Sequence, residues 1–129
     1  PAVFSLENLV VVTASTKFGY LAPYANWGVQ SVDLIAPANE IQVMDFDGQS
    51  KWVGGSSYAA ARVSGLVACL MSQNPDMGLS ELRERLFRKA RRIRGARMVR
   101  HGFLLESQFN RAGICASAKQ PFLRAEAED

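Results

Sequence analysis

The sequence predicts an α/β domain in which interior β-strands are covered by helices, and two stretches indicate it. Residues 9–14 read LVVVTA, a nearly continuous apolar run typical of a strand that is covered on both faces. Residues 57–72 carry small and apolar side chains nearly all round a helical repeat, which predicts a buried helix. A length of 129 residues with 48% hydrophobic content is typical of one soluble globular domain.

Further strands are predicted between the first strand and this helix. SVDLIAP at 31–37 and IQVMDF at 41–46 are strand-like, and each is followed by turn residues. DFDGQ at 45–49 predicts a tight turn, after which KWV at 51–53 returns as a short strand. Towards the end, GFLLES at 102–107 is compatible with a final short strand or with the start of a small helix.

The first helix is predicted to end at Asn74, Pro75 and Asp76. A second helix is predicted to begin near Ser80, because serine is a favourable N-cap. Its inner side would carry Leu82, Leu86, Phe87, Ala90 and Ile93, and its outer side the i,i+4 pairs Glu81 with Arg85 and Glu84 with Arg88.

Basic residues crowd the segment 83–100. They are Arg83, Arg85, Arg88, Lys89, Arg91, Arg92, Arg94, Arg97 and Arg100. Because a basic helix can neutralise phosphates, a nucleic-acid-binding module is one of three functional hypotheses. It is the weakest of the three. A solvated helix face is the favoured interpretation, because this helix has an apolar face and its cations lie near the C-terminal end that the dipole favours.

Other classes of site find little support. No apolar run approaches the roughly 20 residues that cross a bilayer, so no membrane segment is predicted. The two cysteines, Cys69 and Cys115, have neither metal-site nor redox-motif spacing, and Cys69 is predicted to be a small core residue. The chain begins at Pro1 without a recognisable leader, so no signal peptide can be read.

The segment GGSSYAAARVSG at 54–65 raises the main chemical question. A serine at a helix N-terminus has unpaired N–H groups and a positive dipole end beside it, which suits a nucleophile whose reaction creates an oxyanion. A Gly-Ser turn that caps a buried helix is the commoner meaning of such a segment, and the residues alone leave both open. The spacings G-x-S-x-G and S-x-x-K are absent.

Five segments in order resemble the subtilases, the subtilisin-like serine peptidases. GSSYAAARVSGLVACLM at 55–71 is similar to their nucleophile segment, G-T-S-M-A-x-P-H-V-x-G followed by an apolar helix. The others are NLVVVTAST at 8–16, LAPYANWG at 21–28, VDLIAPANEI at 32–41, and the helix LSELRERLFRKA at 79–90 with RHGFLLESQFN at 100–110. The resemblance spans about residues 8–112.

The resemblance implies a fold and a domain organisation. Residues 1–112 would be the C-terminal, serine-bearing part of a subtilase peptidase domain, with a partial subtilisin-like doubly wound parallel sheet and a buried central helix. Residues 113–129 turn polar and small, and we expect them to form a disordered tail.

The resemblance also implies an activity, serine endopeptidase hydrolysis of a polypeptide substrate. Ser57 would be the nucleophile and its backbone N–H an oxyanion donor. The family's triad Asp and His and its oxyanion Asn precede the strand that residues 8–16 resemble. We therefore expect a missing N-terminal half as partner, and an inactive isolated chain. Family members are mostly secreted, and many bind calcium, for which no ligand cluster is found in this sequence.

The remaining candidates for acid–base chemistry have structural interpretations. His101 is the only histidine, follows the serine, and is interpreted as part of a surface turn. Asp33, Asp45 and Asp47 are assigned to strand ends or turns. No complete triad is therefore predicted within this chain.

Several positions depart from the family pattern. Tyr58 stands in place of methionine, Ala61 and Arg62 in place of Pro-His, Gly54 in place of serine, and Ala38 in place of glycine. These changes support a second hypothesis, a non-catalytic relative that serves as a binding or structural domain.

Overall fold

The fold is built around a small parallel sheet with a long helix packed on it. The computed structural model describes residues 2–92 and 98–109. Its elements are β1 (Val12–Ser15), β2 (Leu34–Pro37), β3 (Ile41–Met44), β4 (Ser50–Val53), α1 (Ser56–Gln73), α2 (Leu79–Arg88), β5 (Gly102–Phe103) and a 3-10 helix (Glu106–Phe109). The predicted α/β class is confirmed.

The sheet has the order β1-β2-β5, and both pairings are parallel. Val12 pairs with Leu34 and Ala14 with Ala36, so β1 and β2 are in register over their whole lengths. Every residue of β2 is buried, as its unbroken apolar run predicts for a strand covered on both faces. The strand predicted at 9–14 is confirmed, but it begins at Val12 and extends to Ser15.

Helix α1 buries one face and leaves the opposite face exposed. Ala59, Val63, Leu66 and Leu70 lie in one core cluster with the central residues of β1 and β2. The other face consists of small residues that are exposed, among them Ala60, Ala61, Ser64, Gly65 and Ala68. The predicted central helix is thus confirmed, but in the described part of the chain it is covered on one side only. Cys69, predicted as a core residue, is half-buried.

The end of α1 follows the prediction. Asn74 is the C-cap, and its side-chain Nδ2 donates to the carbonyl of Leu70 at 3.3 Å. Pro75 follows, and proline cannot continue a helix because it has no N–H and its ring clashes with the preceding turn.

The predicted start of α2 is wrong by two residues. Its N-cap is Gly78, in an extended conformation, and the first helical bond runs from the Leu82 N–H to the Gly78 carbonyl at 3.0 Å. Ser80 therefore lies inside the first turn. Leu82 and Leu86 are buried as predicted, and the pairs Glu81–Arg85 and Glu84–Arg88 are both formed.

Strands β3 and β4 form an antiparallel hairpin separate from the parallel sheet. The predicted tight turn at 45–49 is confirmed, with Gly48 at φ +78°, a conformation that favours glycine. The hairpin exposes large apolar side chains, since Met44, Phe46 and Trp52 are all largely accessible to solvent.

The segment 102–107 contains both of the structures that its sequence permits, a two-residue strand and then the start of a 3-10 helix. Gly102 is required where it pairs, because its φ is +120° and an added Cβ would lie 2.4 Å from the Arg91 carbonyl oxygen. The tail predicted at 113–129 and Ile93 lie outside the described residues. None of the helices in the described ranges is long and apolar enough to span a bilayer.

Replacing Leu66 by alanine is expected to lower the free energy of unfolding by about 2–5 kcal/mol, because it leaves a cavity between α1 and the sheet. Leu79→Ala is the matched control, since Leu66 is 1% exposed and Leu79 is 48% exposed. The control should cost under about 1 kcal/mol. Urea denaturation followed by circular dichroism measures both, and equal losses would contradict the packing described here.

Candidate active site

The N-terminus of α1 is fixed to the end of β2 by one backbone hydrogen bond. The Gly55 N–H donates to the carbonyl of Ala38 at 3.0 Å, and Ala38 directly follows β2. Gly55 is the N-cap at φ +155°, where side-chain-bearing residues are strained. The first turn of α1 consequently lies at the carboxyl edge of the parallel sheet, the edge at which open α/β sheets bind ligands.

The two serines of this turn have different environments. Ser56 is half-buried, and its Oγ lies 3.4 Å from Oγ1 of Thr13 in β1. Ser57 is exposed. Ser56 is therefore directed at the sheet, whereas Ser57 is open to solvent.

The first turn of α1 is an electropositive end without a capping side chain. Gly55 offers no side-chain acceptor, and the first turn contains no acidic residue. Among the described residues, neither the Ser56 N–H nor the Ser57 N–H donates a hydrogen bond. Unpaired N–H groups and the positive end of the helix dipole together favour an anion at this position.

Two departures from the family pattern have a local explanation. At Gly54 an added Cβ would lie 2.7 Å from the Tyr24 hydroxyl oxygen and 3.1 Å from Oδ1 of Asn39, so a side chain here would require those side chains to shift. Ala38 is fully buried and its φ is not positive, so its position does not require glycine. Neither change disturbs the bond between Ala38 and Gly55.

Arg62 makes the densest set of polar contacts on α1. Its Nη1 donates to the Pro37 carbonyl at 2.8 Å and to Oε2 of Glu106 at 3.0 Å, and its Nη2 donates to Oε1 of Glu106 at 2.6 Å. The guanidinium also lies over the ring of Phe109, 4.4 Å from its centre. No local sequence pattern predicts these partners, because Arg62 and Glu106 are 44 residues apart.

Tyr58 borders a groove beside this turn. Its ring lies within 3.5 Å of the position that a Cβ on Gly55 would take, so the side chain is folded back against the N-cap. The groove has a volume of about 650 Å³ and is lined in part by Ile41, Val43, Trp52, Tyr58 and Arg62. The groove combines apolar and charged side chains, and it adjoins Tyr58, the residue that follows Ser57.

His101 lies at the opposite end of the sheet from Ser57. The backbone N–H of His101 donates to the carbonyl of Asp33, which directly precedes β2. Ser57 lies two residues after Gly55, which binds the carbonyl of Ala38 directly after β2. At about 3.3 Å per residue, the strand separates these two ends by about 16 Å. His101 was predicted to lie in a surface turn, but it is half-buried, stacked on Phe87 with ring centres 3.8 Å apart.

The three aspartates have the structural roles that the sequence predicts. Asp33 is buried, accepts the Val11 N–H at 2.9 Å, and pairs with Arg100 at 3.1 Å. Asp45 and Asp47 bond within the hairpin turn, where the hydrogen bond from Lys51 lowers the pKa of the Asp45 carboxyl. The carboxylates of these three aspartates are therefore engaged in structural contacts, and none of them is paired with Ser57.

Much of the basic segment is engaged in contacts within the chain. Arg85 and Arg88 pair with glutamates of their own helix, and Arg83 binds the Leu6 and Glu7 carbonyls. Arg100 binds Asp33 and the Gln30 carbonyl. Arg94 and Arg97 lie outside the described residues. In the described part of the chain, His, Cys, Asp and Glu nowhere form a group of three or more that could hold a metal ion.

Comparison with known proteins matches this chain to one family of peptidases. The family model described as the subtilase family of peptidases matches residues 1–113. Proteinase T of Parengyodontium album is 41% identical over 64 residues, which cover 50% of this chain. A thermophilic serine proteinase of Bacillus sp. (strain AK1) is 32% identical over 91 residues, covering 70% of this chain. The aligned part is 22% of each relative's length.

Solved structures show the same fold. A cold-adapted subtilisin-like serine proteinase superposes with a TM-score of 0.69 and 27% identity, covering 81% of this chain and 38% of that protein. The serine protease MycP1, of a type VII secretion system, gives a TM-score of 0.66 with 26% identity over 75% of this chain and 29% of that protein. The partial subtilisin-like fold predicted from the sequence is confirmed.

The environment of His101 predicts a pH dependence of stability. Burial lowers the pKa of the imidazole, aided by Arg100, Arg83 and Arg92 and opposed by Asp33. The folded chain therefore binds fewer protons at His101 than the unfolded chain does, so the free energy of unfolding should fall as the pH drops below 6.5, the ordinary value.

Urea denaturation at about pH 8 and about pH 5 measures this loss in the parent and in His101→Phe. The variant keeps an aromatic ring against Phe87 but cannot titrate, so the parent should lose more stability than the variant between the higher and the lower pH. An identical pH dependence in both proteins would contradict the assignment to His101.

Proposed function

This chain belongs to the subtilase family, and we propose that it is the serine-bearing part of a serine endopeptidase, with Ser57 as the nucleophile. One observation carries the proposal. Ser57 is exposed at the uncapped N-terminus of α1, while Ser56 is turned towards Thr13. The match to the subtilase family over residues 1–113, which include Ser57, supports the same assignment.

The proposed reaction uses the two polar groups of Ser57. Its Oγ attacks the carbonyl carbon of a peptide bond, its proton passes to a base, and the carbonyl oxygen becomes an oxyanion. The Ser57 N–H and the dipole of α1 stabilise that charge. Collapse of the intermediate breaks the C–N bond and releases the protonated amine, and water then hydrolyses the acyl-enzyme.

We propose that the base lies in a part of the peptidase domain outside this chain. His101 is at the far end of the sheet, and Asp33 is committed to Arg100. The chain spans 38% of the cold-adapted proteinase that it superposes on, which leaves most of such a domain to supply the Asp, the His and the oxyanion Asn. The isolated chain is accordingly proposed to be inactive.

The exposed surfaces support the same partner. The small-residue face of α1 would let a neighbouring segment approach the helix closely, and β1 is an edge strand of the described sheet. Phe18, Tyr20 and Trp27, from the segment between β1 and β2, are largely exposed. We propose that the remaining part of the domain covers these surfaces and that a polypeptide substrate binds between the two parts.

A non-catalytic relative is the second candidate, and Tyr58 favours it. The residue directly follows Ser57 and carries a large ring where the family pattern has the flexible methionine. A ring that swung from Gly55 towards Ser57 would block an approaching peptide. Under this alternative the groove binds a polypeptide without cleaving it.

In the full-length protein, Ser57→Ala is expected to reduce labelling by a fluorophosphonate probe to background, because the probe forms a bond to the nucleophilic oxygen. Ser56→Ala is the matched control and should keep labelling within about tenfold, since it removes only a contact with Thr13. In-gel fluorescence and intact-mass spectrometry measure the labelled fraction.

Labelling of Ser57→Ala as strong as that of the parent would show that Ser57 is not the nucleophile. Absence of labelling in the folded parent would favour the non-catalytic relative. The encoded sequence upstream gives an independent check, because an enzyme needs the family's aspartate and histidine segments there.

A further inference from the structure

We infer that Arg62 and Glu106 form a positioning pair that sets the location of Ser57, an inference that rests on the proposed function. The pair joins α1 to two other elements, the end of β2 and the 3-10 helix. Arg62 stands where the family pattern has histidine, so these contacts belong to this chain and are not carried over from the resemblance.

The geometry of the pair is that of a rigid attachment. The guanidinium meets both oxygens of Glu106 in a bidentate arrangement, at 2.6 and 3.0 Å. Such a planar fork fixes direction as well as distance. The Arg62 side chain is only 19% exposed, so it is less screened than a surface pair.

The pair and the N-cap hold α1 to the same point of the sheet. Nη1 of Arg62 binds the carbonyl of Pro37, and Gly55 binds the carbonyl of the next residue, Ala38. Gly55 and Arg62 are seven residues apart, about two helical turns. Two attachments that far apart along the helix fix both its distance from β2 and its rotation about its own axis.

This restraint matters because the first turn has few others. Gly55 provides no capping side chain, and the contact of Ser56 with Thr13 is long, at 3.4 Å. Among the described residues, the pair with Glu106 is the only ion pair made by α1. Rotation of α1 would move the Ser57 hydroxyl and its N–H together, away from the substrate carbonyl.

Phe109 adds a further contact to the guanidinium of Arg62. Its ring lies 4.4 Å from the guanidinium carbon, within the range of a cation–π contact. Glu106 and Phe109 are the first and last residues of one 3-10 helix. The segment after β5 therefore acts on the candidate active site through Arg62.

The test uses the full-length protein and compares Arg62→Met, Glu106→Gln and the double variant with the parent. Arg85→Met is the matched control, because Arg85 pairs with Glu81 at the same 2.6 Å but on the outer face of α2. Two quantities are measured for each protein: the rate of fluorophosphonate labelling per folded molecule, and amide hydrogen exchange of the peptide 54–62.

Arg62→Met is expected to slow labelling about tenfold or more, since small misplacements of a reacting group have large effects on rate. Exchange of the peptide 54–62 should become faster. Glu106→Gln should show a smaller change in the same direction, because an amide oxygen still accepts one hydrogen bond. The double variant should label no more slowly than Arg62→Met alone, as expected for residues that act as one unit.

The inference is overturned if Arg62→Met lowers the melting temperature but leaves both the labelling rate and the exchange of 54–62 unchanged. It is also overturned if Arg85→Met has an equal effect on them. If the parent does not label at all, the proposed function fails, while hydrogen exchange alone still decides whether the pair holds the first turn of α1. Glu106→Gln keeps the test valid if Arg62→Met does not fold, because Glu106 is 43% exposed.

Discussion

The packing of α1 on β1 and β2 is the constraint on which the rest of this structure depends. Ala59, a small residue at the start of the buried face, lets the helix approach the sheet closely, and Val63, Leu66 and Leu70 fill the interface behind it. With the helix held there, the bond from Gly55 to Ala38 brings its N-terminus to the carboxyl edge. The apolar contacts thus place the first turn of α1 at this edge, and we propose that the pair of Arg62 with Glu106 fixes its orientation there.

The two ends of the parallel sheet carry different chemical groups. At the carboxyl edge the chain offers an exposed serine, unpaired N–H groups and an apolar groove. At the amino edge, Asp33 is held by Arg100 and His101 is stacked on Phe87. Charges at the amino edge stabilise the closing segment, and they are too far from Ser57 to act on it. Under the proposed function, a base for the serine approaches the carboxyl edge from outside this chain.

The departures from the family pattern are adapted to their surroundings. Glycine at 54 lies close to the Tyr24 hydroxyl, and Ala38 needs no unusual backbone conformation. Arginine at 62 brings a charge into a largely buried position, which is tolerated because Glu106 and the Pro37 carbonyl bind its N–H groups. A fold can thus be retained through such changes while its chemistry at Ser57 stays a separate question.

The sequence by itself determined the α/β class and the presence of the strands and of both helices. These features follow from the local spacing of apolar residues. It also pointed to Ser57 through the order of its neighbouring segments. Only the tertiary structure decided that Ser56 faces Thr13, that one face of α1 is open, and that Arg62 binds Glu106. Those facts depend on contacts between residues far apart in the chain, and local pattern carries no record of which distant side chains meet.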